Sequence, residues 1–85
     1  MQMNKLIIIN YIKKLTKNDI SNYCLKNNIP ISNEELDIIY YYIKNRYNEF
    51  LNGKDIEILN EIKFKIKSAT YNKMLELYNI YKNKI

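Results

Sequence analysis

Apolar residues recur at steps of three and four along nearly the whole chain, and the recurrence is interrupted at four places. In the first segment Ile8, Tyr11, Ile12 and Leu15 share one helical face, and in the second Ile20, Tyr23 and Cys24 do so. The third carries Leu36, Ile39, Tyr40, Ile43, Tyr47 and Phe50. The fourth has Ile58, Leu59, Ile62 and Ile66, and the fifth Tyr71, Met74, Tyr78, Tyr81 and Ile85. Such spacing makes one apolar stripe on an α-helix. It predicts helices over about 4–15, 17–28, 33–51, 56–67 and 69–84. The alternation in KFKIK (63–67) imitates a strand, but five residues with no partner strand make a marginal one. The predicted fold class is all-α: a compact bundle of four to five short helices with helix-turn-helix connections, in a single domain over 1–85.

The interruptions carry recognisable start and stop chemistry. LTKNDI (15–20) and ISNEEL (31–36) share the order apolar, hydroxyl, two residues, acid, apolar. The hydroxyl of Thr16 or Ser32 can accept from the backbone N–H three residues on. Asp19 or Glu35 can reach back to the cap residue's own N–H. Leu15/Ile20 and Ile31/Leu36 stand at hydrophobic-staple positions. Asn28 before Ile-Pro-Ile stops the second helix, because the residue preceding Pro30 is driven toward extended geometry. Asn52-Gly53 stops the third, with Gly53 suited to the left-handed conformation. Asp55 is the expected cap of the fourth helix and Ser68 of the fifth.

These same segments carry a resemblance. LTKNDISNYCLKNNIPISNEELDIIYYYI, FLNGKDIEILNEI and KSATYNKMLELY together resemble the small YqfT-like proteins of Bacillus relatives, a domain-of-unknown-function family of similar length. The shared features are the Leu-Thr-x-x-acid-apolar opening, a Tyr in the second helix, the I-x-[ST] entry to the third and a Ser-led last helix. The chain departs from that pattern in its tyrosine density and in lacking Pro after Ser68. The resemblance implies a helical fold and brings no activity or functional residue. The helix–loop–helix at 16–45 also resembles SAP-like and Rho-N-terminal-like nucleic-acid modules, by fold analogy alone.

Composition changes how the charge is read. Ile, Asn, Lys and Tyr supply 52 of the 85 residues, while Val, His and Trp are absent. Those four residues have A/T-rich codons, which points to a low-GC genome, bacterial by expectation. The net charge of +5 rests on 13 Lys and one Arg. Codon pressure accounts for part of it, since phosphate recognition favours the Arg fork. The charge is segmented: +4 over residues 1–33, −4 over 34–62 and +5 over 63–85.

Most enzymatic chemistry lacks its residues. Without His there is no group titrating near neutrality and no Ser/His or Cys/His pair. The single Gly cannot build a phosphate cradle. Cys24 lies on an apolar stripe and reads as a buried structural thiol, in keeping with a reducing compartment. Glu57 and Glu61 are four apart, as hard-metal ligands would be, but pairing of Glu61 with Lys65 in solvent explains them better. Glu34, Glu35 and Asp37 suit the dipole of the third helix's first turn. The protein is therefore expected to be non-enzymatic, with no cofactor and no metal. The run LIIINYI is far shorter than the ~20 residues of a membrane span, and it lacks a small-residue cleavage site. The expected location is the cytoplasm.

Two surfaces remain as candidates. Leu6, Ile7, Leu25, Ile38, Tyr41, Tyr42, Phe64 and Ile80 fall off their main stripes. Among them Ile38, Tyr41 and Tyr42 are either a second packing face of a helix surrounded on more than one side or the candidate partner surface, for which Tyr offers large contact area at low entropic cost. Lys63, Phe64, Lys67 and Lys73 are the candidate nucleic-acid contacts, with Phe64 free to stack and the lysines beside a helix N-terminus. The primary expectation is a protein-interaction or adaptor module with an unknown protein partner, self-association into a homodimer included. The alternative is nucleic-acid binding around Lys63–Lys67.

Overall fold

A computed structural model of the chain describes residues 5–82, and these fold into helices joined by short connections. The helices are α1 (Lys5–Lys14), α2 (Lys17–Lys26), α3 (Asn33–Glu49), α4 (Asp55–Lys63) and α5 (Ser68–Lys82). No strand occurs among the described residues, so the all-α class holds. Helix ends expected at 4 and 84, and Ile85 on the last stripe, lie outside the described residues, as does the side chain of Tyr81.

Both capping boxes form. Thr16 Oγ1 accepts from the Asp19 N–H at 3.1 Å while Asp19 Oδ2 accepts from the Thr16 N–H at 2.9 Å. Ser32 and Glu35 repeat the arrangement at 3.2 and 2.9 Å. Helix α2 ends in a Schellman motif. Asn28 adopts φ 57°, its N–H donates to the Leu25 carbonyl, and the Ile29 N–H reaches the Cys24 carbonyl at 2.9 Å. That closure turns Ile29 inward beside Cys24, and both are buried.

Between α3 and α4 the chain makes a wide turn over Phe50–Lys54, in which Gly53 takes φ 100°. Asp55 is already helical (φ −57°, ψ −43°) and Lys54 stands at the cap position. The expected Asp55 cap is thus displaced: its carboxylate instead accepts the Tyr78 hydroxyl from α5. At the last helix, Lys67 supplies the first accepting carbonyl, to the Tyr71 N–H at 3.0 Å, and Ser68 is the first helical residue. Helix α4 closes at Lys63, earlier than its stripe suggested. The i→i−3 bonds Phe64 N–H to Glu61 and Lys65 N–H to Ile62 tighten its end. In the resulting connection Phe64 points out and Ile66 points in, so the two apolar residues of KFKIK do not share the one face that a strand would give them.

Helix α3 is the axis of the fold: it packs against α1, α2 and α4, and α5 lies on α4. The core comprises Ile20, Cys24, Ile29, Ile39, Tyr42, Ile58, Ile62, Ile66 and Tyr71. The radius of gyration, 12.4 Å, is that of a compact domain of this length, for which about 12 Å is expected.

The buried line of α3 differs from the predicted stripe. Glu35, Ile39 and Tyr42 are its buried residues. Leu36, Tyr40, Ile43, Tyr47 and Phe50 flank that line at partial exposure. A helix enclosed on three sides buries its middle deepest, and the stripe as read was shifted from that middle by one residue. Helix α1 deviates more. Its predicted core residue Tyr11 is 64% exposed, and no residue of this helix is buried.

Candidate functional site

The off-stripe residues do not form one surface. Tyr42 belongs to the core, and its hydroxyl donates to Glu61 Oε1 at 3.2 Å. Burial, with the Glu61 carboxylate beside it, raises the Tyr42 phenol above its ordinary pKa. Its ring is therefore withdrawn from the expected partner surface. Ile38 is half-buried against the core, and Tyr41 alone of the three is exposed, its ring edge-on to Tyr42. Sequence spacing separated these residues from the stripe but could not say that α3 has neighbours on that side.

Arg46 joins the same cluster. Its guanidinium forks onto Glu61 with both oxygens at 3.2 and 3.1 Å, also binds Glu49, and lies 5.7 Å from the Tyr42 ring centre. The fork holds the Glu61 carboxyl below its ordinary pKa. Glu61 thus bridges α4 to α3, where spacing alone had assigned it to Lys65. Among the described residues no group of three or more His, Cys, Asp or Glu is arranged to hold a metal ion. Cys24 is buried, and burial pushes its thiol pKa up, which makes it a poor nucleophile.

The basic connection holds a second polar centre. Lys63, Phe64 and Lys73 are exposed, Phe64 to 87%. Lys67 is engaged: its backbone N–H donates to Glu35 Oε2 at 2.9 Å and its ammonium lies 3.5 Å from Glu35 Oε1. The fully buried Thr70 places its hydroxyl 3.1 Å from both Glu35 Oε1 and the Pro30 carbonyl, with one proton to give. Burial alone would raise the Glu35 carboxyl. The N–H groups of Ser32 and Lys67, with Thr70, outweigh it and hold the carboxyl below its ordinary value. The N-terminus of α5, expected to receive a phosphate, already has a carboxylate on it. The missed signal was Glu35, which the sequence assigns to one helix and which serves two.

Helix α1 exposes three large apolar side chains. Leu6 and Ile7 are 63% and 57% exposed, and Tyr11 is more exposed still. The helix is held from beneath by Lys44, whose ammonium donates to the carbonyls of Ile12, Lys13 and Leu15 at 3.0, 2.8 and 3.0 Å. The Ile12 carbonyl also accepts the Leu15 N–H at 3.1 Å, and the three ammonium donors meet three carbonyls at the end of α1. The Lys44 and Lys17 ammonium groups both lie over the Tyr40 ring, at 5.7 and 5.5 Å.

Between α1 and α2 runs a cleft of about 500 Å³ edged by Tyr11, Lys14, Asn22, Tyr23 and Lys26. Two apolar grooves, also open to solvent, adjoin it. One, of about 310 Å³, reaches Cys24, Ile29 and Leu77. The other, of about 390 Å³, reaches Ile8, Phe50 and Ile58. No helix among the described residues is long and apolar enough to cross a membrane. No family model, no curated protein and no solved structure matches this chain.

Proposed function

We propose that the protein is a non-enzymatic interaction module that docks a protein partner, a second copy of itself included, through α1. The observation that carries this reading is the state of that helix. Its sequence KLIIINYIKK is largely apolar, yet none of its residues is buried and Ile7 and Tyr11 face solvent. A helix apolar around most of its circumference is ordinarily enclosed, so a face left in water is an interface in waiting. The exposed patch thereby moves from Ile38, Tyr41 and Tyr42 to the first helix. A cytoplasmic setting in a low-GC bacterium and distant kinship to the YqfT-like proteins belong to the same proposal. The unpaired thiol, the composition and the two capping-box entries support them.

Light scattering over a concentration series tests self-association. The expected result is a dimer mass at micromolar concentration, reduced to the monomer mass by Leu6→Lys with Ile7→Lys. A monomer mass at every concentration removes the second copy as partner.

A nucleic-acid reading has one favouring observation, the exposure of Phe64 between Lys63 and Lys65. Weighing against it, Glu35 already occupies the N–H of Lys67. Weak binding at physiological salt is expected. A submicromolar affinity with a steep salt slope, lowered by Lys63→Glu plus Lys67→Glu, would replace the interaction reading.

A further inference from the structure

We propose that the bundle binds a single-chain amphiphile with an anionic head, its tail in the apolar grooves beside α1 and its head at the Tyr11–Tyr23 cleft. This goes beyond the interaction reading and does not depend on it.

The spaces adjoin. The outer cleft and the first groove share Tyr11, Leu15, Asp19 and Tyr23 as walls, and the first and second grooves share Leu15, Ile39, Ile43, Met74 and Tyr78. The two apolar grooves, of about 310 and 390 Å³, open to solvent and are not sealed in the core. Each falls within the roughly 300–1,000 Å³ of ordinary ligand pockets.

The lining determines the chemistry of the occupant. Most of it is Ile, Leu, Met and aromatic carbon, and three of its polar groups are already engaged. Arg46 is held by Glu49 and Glu61, the Tyr42 hydroxyl by Glu61 and the Tyr78 hydroxyl by Asp55. Among the described residues no buried side-chain nitrogen or oxygen lacks a partner. A guest rich in hydrogen-bonding groups would find few partners there, and water gains little from so apolar a site. A methylene chain fits both conditions.

The entrance determines the head. Lys14 and Lys26 edge the cleft, and neither is in an ion pair among the described residues. The one carboxylate in the cleft wall, Asp19, is engaged with the Thr16 N–H. Two ammonium groups against one committed carboxylate favour an anionic head, and the Asn22 amide adds a neutral donor. Helix α1, held by Lys44 yet burying none of its own residues, is the wall a tail would pass beneath.

The test uses laurate, dodecanol and dodecyltrimethylammonium, which share a tail and differ in head, titrated below their micelle concentrations into the full chain. Isoleucine and methionine methyl resonances report the interior. Saturable laurate binding is expected, with shifts at Ile39, Ile43 and Met74 and weaker binding of the other two. Lys14→Glu plus Lys26→Glu, both exposed and harmless to the core, should weaken laurate about five- to tenfold, while Lys73→Glu leaves it unchanged. No saturation, or shifts confined to the outside of α1, overturns the site. Equal affinity for the three heads, or indifference to the lysine pair, overturns the assignment of an anionic ligand.

Discussion

Glu35, in the first turn of α3, accepts the backbone N–H of Lys67 at 2.9 Å and so caps the last helix as well as its own. The two residues are 32 apart in sequence, and the bond closes the bundle by tying the end of the α4–α5 connection to the entry of α3. Replacing Glu35 by Ala removes half a capping box and leaves the Lys67 N–H and the buried Thr70 hydroxyl with fewer acceptors. The expected cost is about 2–4 kcal/mol, read from urea unfolding. A loss no larger than that of Asp19→Ala, which breaks the other box at an exposed site, would show that the second helix gains nothing from Glu35.

Stability should fall at both ends of the pH scale, for opposite reasons. The folded-state pKa of Glu35 lies below its ordinary 4.5, and Asp19, bonded to Thr16, and Glu61, held by Arg46, shift the same way. A depressed carboxyl contributes stability that is present above its unfolded pKa and lost as pH falls through the folded one. Tyr42 and Tyr78 shift upward from 10.0, chiefly by burial, Tyr78 to about 12 beside Asp55. Their contribution is present below 10.0 and lost as pH rises through the folded values. Urea midpoints should be flat between about pH 5 and 9 and decline outside that window. In Glu35→Gln the acid limb should be shallower, and an unchanged limb would remove Glu35 from the account.

Lys44 fastens α1 through three carbonyl bonds, so Lys44→Met keeps the aliphatic stem and removes the fastening. The variant is expected to lose about 1–2 kcal/mol. Amide exchange should quicken mainly in α1, and a uniform increase across all helices would show that Lys44 serves global rather than local stability.

Gly53 holds φ 100°, and a Cβ built there meets nothing within 4 Å. The cost of Gly53→Ala is then one of backbone conformation, about 1–2 kcal/mol. Gly53→Asn should cost less, because Asn tolerates positive φ more readily. Equal losses in the two variants would point to something other than the dihedral.

The features legible in the sequence are those closed by bonds between near neighbours. The Thr16/Asp19 and Ser32/Glu35 boxes, the Asn28 stop and the Gly53 turn each form within a few residues, so the local order of side chains specified them and, with them, the helix count and the all-α class. Apolar spacing likewise found Ile20, Cys24, Ile39, Ile58 and Ile62 in the core. Spacing tells which side of a helix is apolar; it does not tell which sides have neighbours. Tyr42 is buried because α4 brings Glu61 across to α3, and Tyr11 is exposed because nothing among the described residues covers that side of α1. Polar partners were decided in the same way: Glu61 chose Arg46 over Lys65, Asp55 chose Tyr78 over its own helix N-terminus, and Glu35 reached Lys67 and Thr70. Each of these choices joins residues far apart in sequence, whose meeting depends on how the helices are set against one another. The single chain order thus determined the helices and their ends, and only their packing decided which apolar face became core, which became surface and where grooves were left between helices.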